Sequence, residues 1–182
     1  MERYLIESCA PTLASLKTAS LFSMPFETEE ELECQLTYWN TQMKTKGIQL
    51  QVMRRKGGRA LIYVCRISQL LKNLELPEVW KLLDDYGYGG MNPAQAVNHL
   101  RERLATGEEF PHEIGIFLGY PLGDVVGFIE NEGRNYKCAG CWKVYCNECE
   151  TRKLFEKYRK CREIYARLWR QGRSVLQLTV AA

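Results

Sequence analysis

Residues 48–65 read IQLQVMRRKGGRALIYVC, and this stretch decides the fold. Ile48, Leu50 and Val52 alternate with Gln49 and Gln51, the period of a half-buried strand. Ala60 to Cys65 is a second apolar run rich in β-branched residues. Between them Arg54-Arg55-Lys56-Gly57-Gly58-Arg59 reads as a turn. The two runs make an antiparallel hairpin with a cationic tip.

Working outward, Thr28 reads as an N-cap with Glu31 in the capping-box position. Leu32, Leu36, Trp39 and Met43 follow at helical spacing, and Gly47 ends the helix. Before it, Leu13, Leu16, Leu21 and Phe22 read as a short buried helix after Pro11. After the hairpin the chain turns helical. Helices are expected over 68–74, from Pro77 to Gly87, from Asn92-Pro93 to Gly107, and in two short pieces opened by Pro111 and Pro121. Trp142 to Tyr145 alternates as a strand, and Asn147 caps a long helix striped by Leu154, Tyr158, Cys161, Tyr165 and Leu168. Ser174 to Val180 reads as a last strand. The sum is a single α+β domain over 1–182, with a small, largely antiparallel sheet of about four strands covered by helices.

Composition narrows the class. With 182 residues, 46% hydrophobic and 26% charged, the chain can build a real core and is not a disordered segment. No apolar run approaches the ~18 residues that cross a bilayer. The start, MERYLIESCAPTLASLK, lacks the basic-then-apolar order of a signal peptide. Eight cysteines in that setting suggest a reducing cytosol, with thiols or metal ligands rather than disulfides. Net charge is +3, but residues 134–173 hold twelve Lys/Arg against four Glu, a local +8. The first fifty residues hold seven Glu against four Lys/Arg. Such asymmetry suits an anionic partner, either nucleic acid or an acidic protein surface, and equally suits a solvated helix face.

Three sets of residues carry possible chemistry. Cys138, Cys141, Cys146 and Cys149 form CxxC-x4-CxxC, the pattern that offers four thiolates to zinc or to an iron–sulfur cluster. An extended Trp142–Tyr145 spacer would separate Cys141 from Cys146 by ~16 Å, at ~3.3 Å per residue. Zn–S bonds of ~2.3 Å cannot bridge that, so one zinc site requires the spacer to fold back. The alternatives are a redox pair at Cys146 and Cys149, beside a helix start that lowers a thiol pKa, or plain half-buried thiols. Second, His112 could serve Cys9 or Cys65 in a Cys-His enzyme, or simply hydrogen-bond at a helix start beside Glu113. His112-Glu113 is not a zinc-protease motif, and neither GxGxxG nor a P-loop is present. Third, Arg54, Arg55, Lys56 and Arg59 at the hairpin tip, with Arg152, Lys153, Lys157, Arg159 and Lys160 on the long helix, form a cationic surface for phosphates or an acidic protein.

The segment HEIGIFLGYPLGDVVGFIE (112–130), with GCWKVYC (140–146), resembles an uncharacterised family of small proteins from anaerobic Firmicutes. The resemblance continues through CAPTLASLKTASLF (9–22), ALIYVCR (60–66) and VLQLTV (175–180). Some members of such families look like type II-A anti-CRISPR proteins, which bind an RNA-guided DNA nuclease and block cleavage. The resemblance therefore implies a cytoplasmic binding protein, monomer or homodimer, whose partner is a type II CRISPR effector nuclease, nucleic acid, or both. Net basic charge departs from pure DNA mimicry. The second expectation is a metal- or thiol-dependent protein using the 138–149 cysteines, and the third a Cys-His enzyme.

Overall fold

The structure, a computed structural model, describes residues 1–106 and 110–181. The hairpin lies at its centre. β2 (Ile48–Lys56) and β3 (Arg59–Arg66) pair antiparallel from Ile48 opposite Arg66 to Lys56 opposite Arg59. The strands run further toward the tip than their alternation suggests. The turn is Gly57-Gly58 alone, with φ of 58° and 67°, the left-handed pair that a two-residue hairpin turn needs and glycine supplies most easily. The register shifts between Val52 and Arg54, leaving Met53 as the extra residue of a bulge.

A third strand, β1 (Ala19–Pro25), pairs with β3 on its other side, giving the order β1-β3-β2. This corrects the helix expected after Pro11. The helix, α1 (Glu2–Leu13), lies before that point and contains Pro11 in its last turn. The expected last strand is also corrected. Val175–Leu178 is a short helix, α9, opened by a reciprocal capping box between Ser174 and Gln177. That box satisfies backbone donors locally, and the segment ends on a bond from Val180 N to Leu13 O rather than on a strand partner.

Both faces of the sheet are covered. Phe22, Met24, Ile48, Leu50, Ile62 and Val64 point to one side, against α1, α2 (Glu29–Met43), α8 (Glu148–Arg170) and α9. Ala19, Met53, Tyr63 and Cys65 point to the other. There they meet α3 (Ile67–Leu74), α4 (Pro77–Asp84), α5 (Pro93–Thr106), α6 (Ile114–Phe117) and α7 (Leu122–Glu130). The protein is an α+β domain with a helix–sheet–helix layering. Among the described residues no helix is long and apolar enough to cross a membrane.

Local signals place several boundaries. Thr28 accepts from Glu31 N at 3.1 Å, as its N-cap position requires. Asn92 and Gln95 exchange side-chain-to-backbone bonds at the start of α5. Gly107, the expected end of α5, lies outside the described residues. Asn147 does precede α8, but it sits at φ 25° and its side chain makes no cap bond, so the expected cap is positional only. Arg66, 2% exposed, donates to the carbonyls of Thr12, Leu13, Lys46 and Val180. It thereby adds a second, charged donor to the last carbonyls of α1, which also accept from Ser15 N and Val180 N. A cation is the charge that a helix C-terminus favours, and this one ties the C-terminal segment to the sheet.

Candidate functional site

The segment from α6 to the start of α8 differs from the rest of the fold, because a polar clamp organises it. α6 and α7 break at Gly119-Tyr120, as Pro121 requires. Beyond them β4 (Cys138–Ala139) and β5 (Lys143–Val144) form a small antiparallel hairpin, so the strand expected over Trp142–Tyr145 is shorter than its alternation suggests. Asp124, 2% exposed, holds this hairpin to α7. It accepts from Trp142 Nε1 at 2.7 Å, Tyr145 N at 2.8 Å, Cys146 N at 2.9 Å and Cys146 Sγ at 3.1 Å. Burial alone would raise its pKa, but these donors outweigh burial and hold the carboxyl below its usual value. Gly127 lets the Tyr145 ring lie on α7, since a Cβ there would meet that ring at 2.5 Å.

The clamp leaves a cavity of about 550 Å³ between α6–α7 and the hairpin. Its wall is largely aromatic and aliphatic: Phe110, Ile114, Tyr120, Val125, Phe128 and Trp142. Tyr120 stacks on Trp142 with centroids 4.5 Å apart, and Phe155 meets Trp142 edge-on at 4.6 Å. His112 lies against Phe128 at 4.8 Å. Its polar groups are few: His112, Asp124, Cys141 and Lys143. Lys143 is committed to Gly133 O at 2.7 Å and lies over the Phe128 and Tyr136 rings. Burial, and secondarily Cys141, pushes the Tyr120 hydroxyl up to about 12, so it stays a neutral donor. A mostly apolar wall with a few convergent polar groups is the ordinary form of a small-ligand site.

The residues singled out by sequence divide sharply. The four cysteines of the CxxC pairs do not come together as a ligand set. Cys138 is buried opposite Val144 on the hairpin, Cys141 lies at the cavity, Cys146 turns to Asp124, and Cys149 is exposed in the first turn of α8. Among the described residues no group of three or more His, Cys, Asp or Glu side chains is placed to hold a metal ion. Burial and then the Asp124 bond raise the Cys146 thiol, opposite to what a redox pair at a helix start needs. Cys9 and Cys65 are core thiols at 0% and 3% exposure, each pushed up by burial to about 12. Neither lines the His112 cavity; the thiol that does is Cys141. Glu113 does not serve the helix start either. Fully buried, it pairs with Arg103 at 2.7 Å and accepts from Tyr88 Oη at 3.0 Å.

Of the nine cations in the set, four are ion-paired among the described residues: Arg55, Arg152, Lys153 and Arg159. Arg152 meets Glu148 at 2.7 Å, Lys153 meets Glu150 at 2.8 Å, and Arg159 meets both Glu156 and Glu163 at 2.7 Å. At the hairpin, Arg55 pairs with Glu29 and Glu33, and Arg59 binds Ser23. Lys56, Lys157 and Lys160 are exposed, and among the described residues they have no ion-pair partner, while Arg54 is half-buried.

Sequence reasoning missed Asp124, Tyr120, Phe128 and Trp142 as a set. One signal was present: Asp124 is the lone acid in the apolar run LGDVVGFI, and a buried acid there demands donors. The chain matches no curated protein and no solved structure. Residues 5–179 match the model of a family described as "Protein of unknown function (DUF3793)", and the chain belongs to that family.

Proposed function

We propose that the protein is a binding protein for an apolar, aromatic-sized small molecule, held between α6–α7 and the β4–β5 hairpin. The observation that supports this reading is the cavity of about 550 Å³, walled by stacked aromatics and positioned by one buried carboxylate. A volume of this order holds a drug-sized ligand. The test is a titration with the neutral fluorophore N-phenyl-1-naphthylamine. Wild type is expected to bind one equivalent with blue-shifted emission. Ala139→Trp, at an exposed position on the rim, is expected to abolish binding without lowering stability. Equal binding by both proteins overturns the reading.

A second reading is carried by the surface cations and by the resemblance to anti-CRISPR proteins. Lys56, Lys157 and Lys160 are exposed without an internal carboxylate partner among the described residues, so they are available to phosphates or to an acidic protein patch. Under this reading the protein inhibits a type II CRISPR nuclease. Adding it to guide-loaded nuclease should then stop DNA cleavage at stoichiometric ratio. Undiminished cleavage across several nuclease orthologues removes that reading and leaves the pocket untouched.

A further inference from the structure

A second cavity, of about 320 Å³, adjoins the first, and the two share Leu21, Leu118, Tyr120 and Cys141 in their walls. Its character is different. Lys17, from the loop between α1 and β1, and Arg162, from the inner side of α8, both line it. Lys17 Nζ lies 5.2 Å from the Tyr120 ring centroid, and Arg162 Nη2 lies 4.0 Å from Cys141 Sγ. Two positive charges therefore face one partly enclosed space.

Neither charge is neutralised. Among the described residues no carboxylate reaches ion-pair distance of Lys17 or Arg162. The one acid lining the cavity, Glu7, is taken by Arg3 at 2.9 Å. On the outer face of the same helix Arg152, Lys153 and Arg159 have carboxylate partners, and the unpaired Lys157 and Lys160 are exposed to solvent, whereas Lys17 and Arg162 are half-buried. Lys17 is also partly withdrawn from water, and that desolvation lowers its pKa, outweighing the opposite pull of Cys141 and Cys9; the like charge of Arg162 is a smaller contribution in the same direction. A half-buried cation pair without a counter-ion is costly, and a ligand anion would remove that cost.

We propose that Lys17 and Arg162 form an anion subsite at one end of the aromatic pocket, so that the ligand is an aromatic molecule bearing an acidic group such as a carboxylate or phosphate. The inference rests on the pocket reading above and adds the charge and its position. The apolar body lies between Phe128 and Trp142, and the acidic group reaches past Tyr120 and Cys141 to the two cations.

The test uses two fluorophores with the same kind of aromatic body, the anionic 8-anilinonaphthalene-1-sulfonate and the neutral N-phenyl-1-naphthylamine. Both are titrated into wild type, Lys17→Met and Arg162→Met, after circular dichroism and melting confirm that each variant is folded. Met preserves the apolar stem and removes the charge. The anionic probe should bind wild type more tightly than the neutral one, and each variant should weaken it about tenfold, as expected for one charged hydrogen bond. The neutral probe should be unchanged by either variant. If both probes bind but neither variant shifts the anionic one, the subsite is wrong and the pocket stands. If neither probe binds wild type, the pocket reading fails as well. Lys157→Met is the control for non-specific charge, and an equal loss there also overturns the subsite.

Discussion

The two faces of the central sheet solve different problems. On the face under α1, α2 and α8 the side chains close completely, and Leu5, Ile6, Cys9, Leu13 and Val64 are all at 0% exposure. The buried cation there, Arg66, is spent on backbone carbonyls. On the other face the packing loosens beyond Phe117. Asp124 ties a hairpin onto α7, and a cavity remains between them. One buried charge closes a structure; the other anchors the wall of a cavity. The lesson is that a buried ion does not by itself mark function, and what it holds apart or together decides.

The largest expected effect breaks the closed face. Arg66→Met removes a charged donor from four carbonyls, of which Thr12 O and Leu13 O keep a backbone partner, and three of the four belong to the junction of α1 with the C-terminus. The expected loss is about 3–5 kcal/mol in urea unfolding, with detachment of residues 174–181 seen as faster amide exchange. A loss below about 1 kcal/mol would mean that the carbonyls rehydrate freely and that this face is not closed.

Asp124→Asn should cost less, about 2–3 kcal/mol, because the amide oxygen can still accept from Tyr145 N and Cys146 N while its NH₂ meets the Trp142 donor. Its signature is local. Trp142 emission should shift red as the hairpin loosens, and neutral-probe binding should fall with it. An unshifted emission would show that the hairpin is held by packing rather than by the clamp.

The thiols sharpen the contrast through pH. Cys9 and Cys65 sit near 12 in the folded chain and near 9.0 as free groups. Their folded values are raised, so their contribution is complete below about pH 9 and is lost as pH climbs toward 12, when the unfolded chain ionises first. Each thiol should steepen the fall in stability by about 1.4 kcal/mol per pH unit across that window. Cys9→Ala should flatten the alkaline limb even though it lowers stability at neutral pH. In native protein at pH 7.5, a thiol reagent should label Cys34 and Cys149 quickly and Cys9 and Cys65 only on unfolding.

The smallest effect belongs to the surface. Lys157→Glu with Lys160→Glu should change stability by under about 0.5 kcal/mol, since neither takes part in an internal ion pair. A larger loss would mean that the outer face of α8 is part of the fold rather than a surface held for partners.

What the sequence made legible follows the range of the forces involved. The N-caps at Thr28 and Asn92 and the Ile48/Leu50/Val52 alternation are local patterns that form as read, except that the Glu31 side chain accepts from Gln35 instead of closing the capping box on Thr28. β1 was illegible because Ala19–Pro25 becomes a strand only by pairing with β3, some forty residues further along the chain. The C-terminal segment was misread because VLQLTV alternates like a strand, while the Ser174–Gln177 box, also present in the letters, decides for a helical turn. The clamp was missed: Asp124 is the lone acid in an apolar run, and its donors at Trp142, Tyr145 and Cys146 are assigned only once the hairpin has folded back onto α7. That same fold-back separates the cysteines that the CxxC spacing had suggested as one site.

The most direct measurement of the central claim is amide and indole chemical-shift mapping of the isotope-labelled protein during titration with N-phenyl-1-naphthylamine. A pocket between α6–α7 and the hairpin predicts saturable shifts at Gly115, Tyr120, Gly140 and the Trp142 indole N–H, with Gly47, Gly57 and the α1–α2 face unmoved. Shifts confined to the α1–α2 face, or no saturable shift at the Trp142 indole, would contradict it.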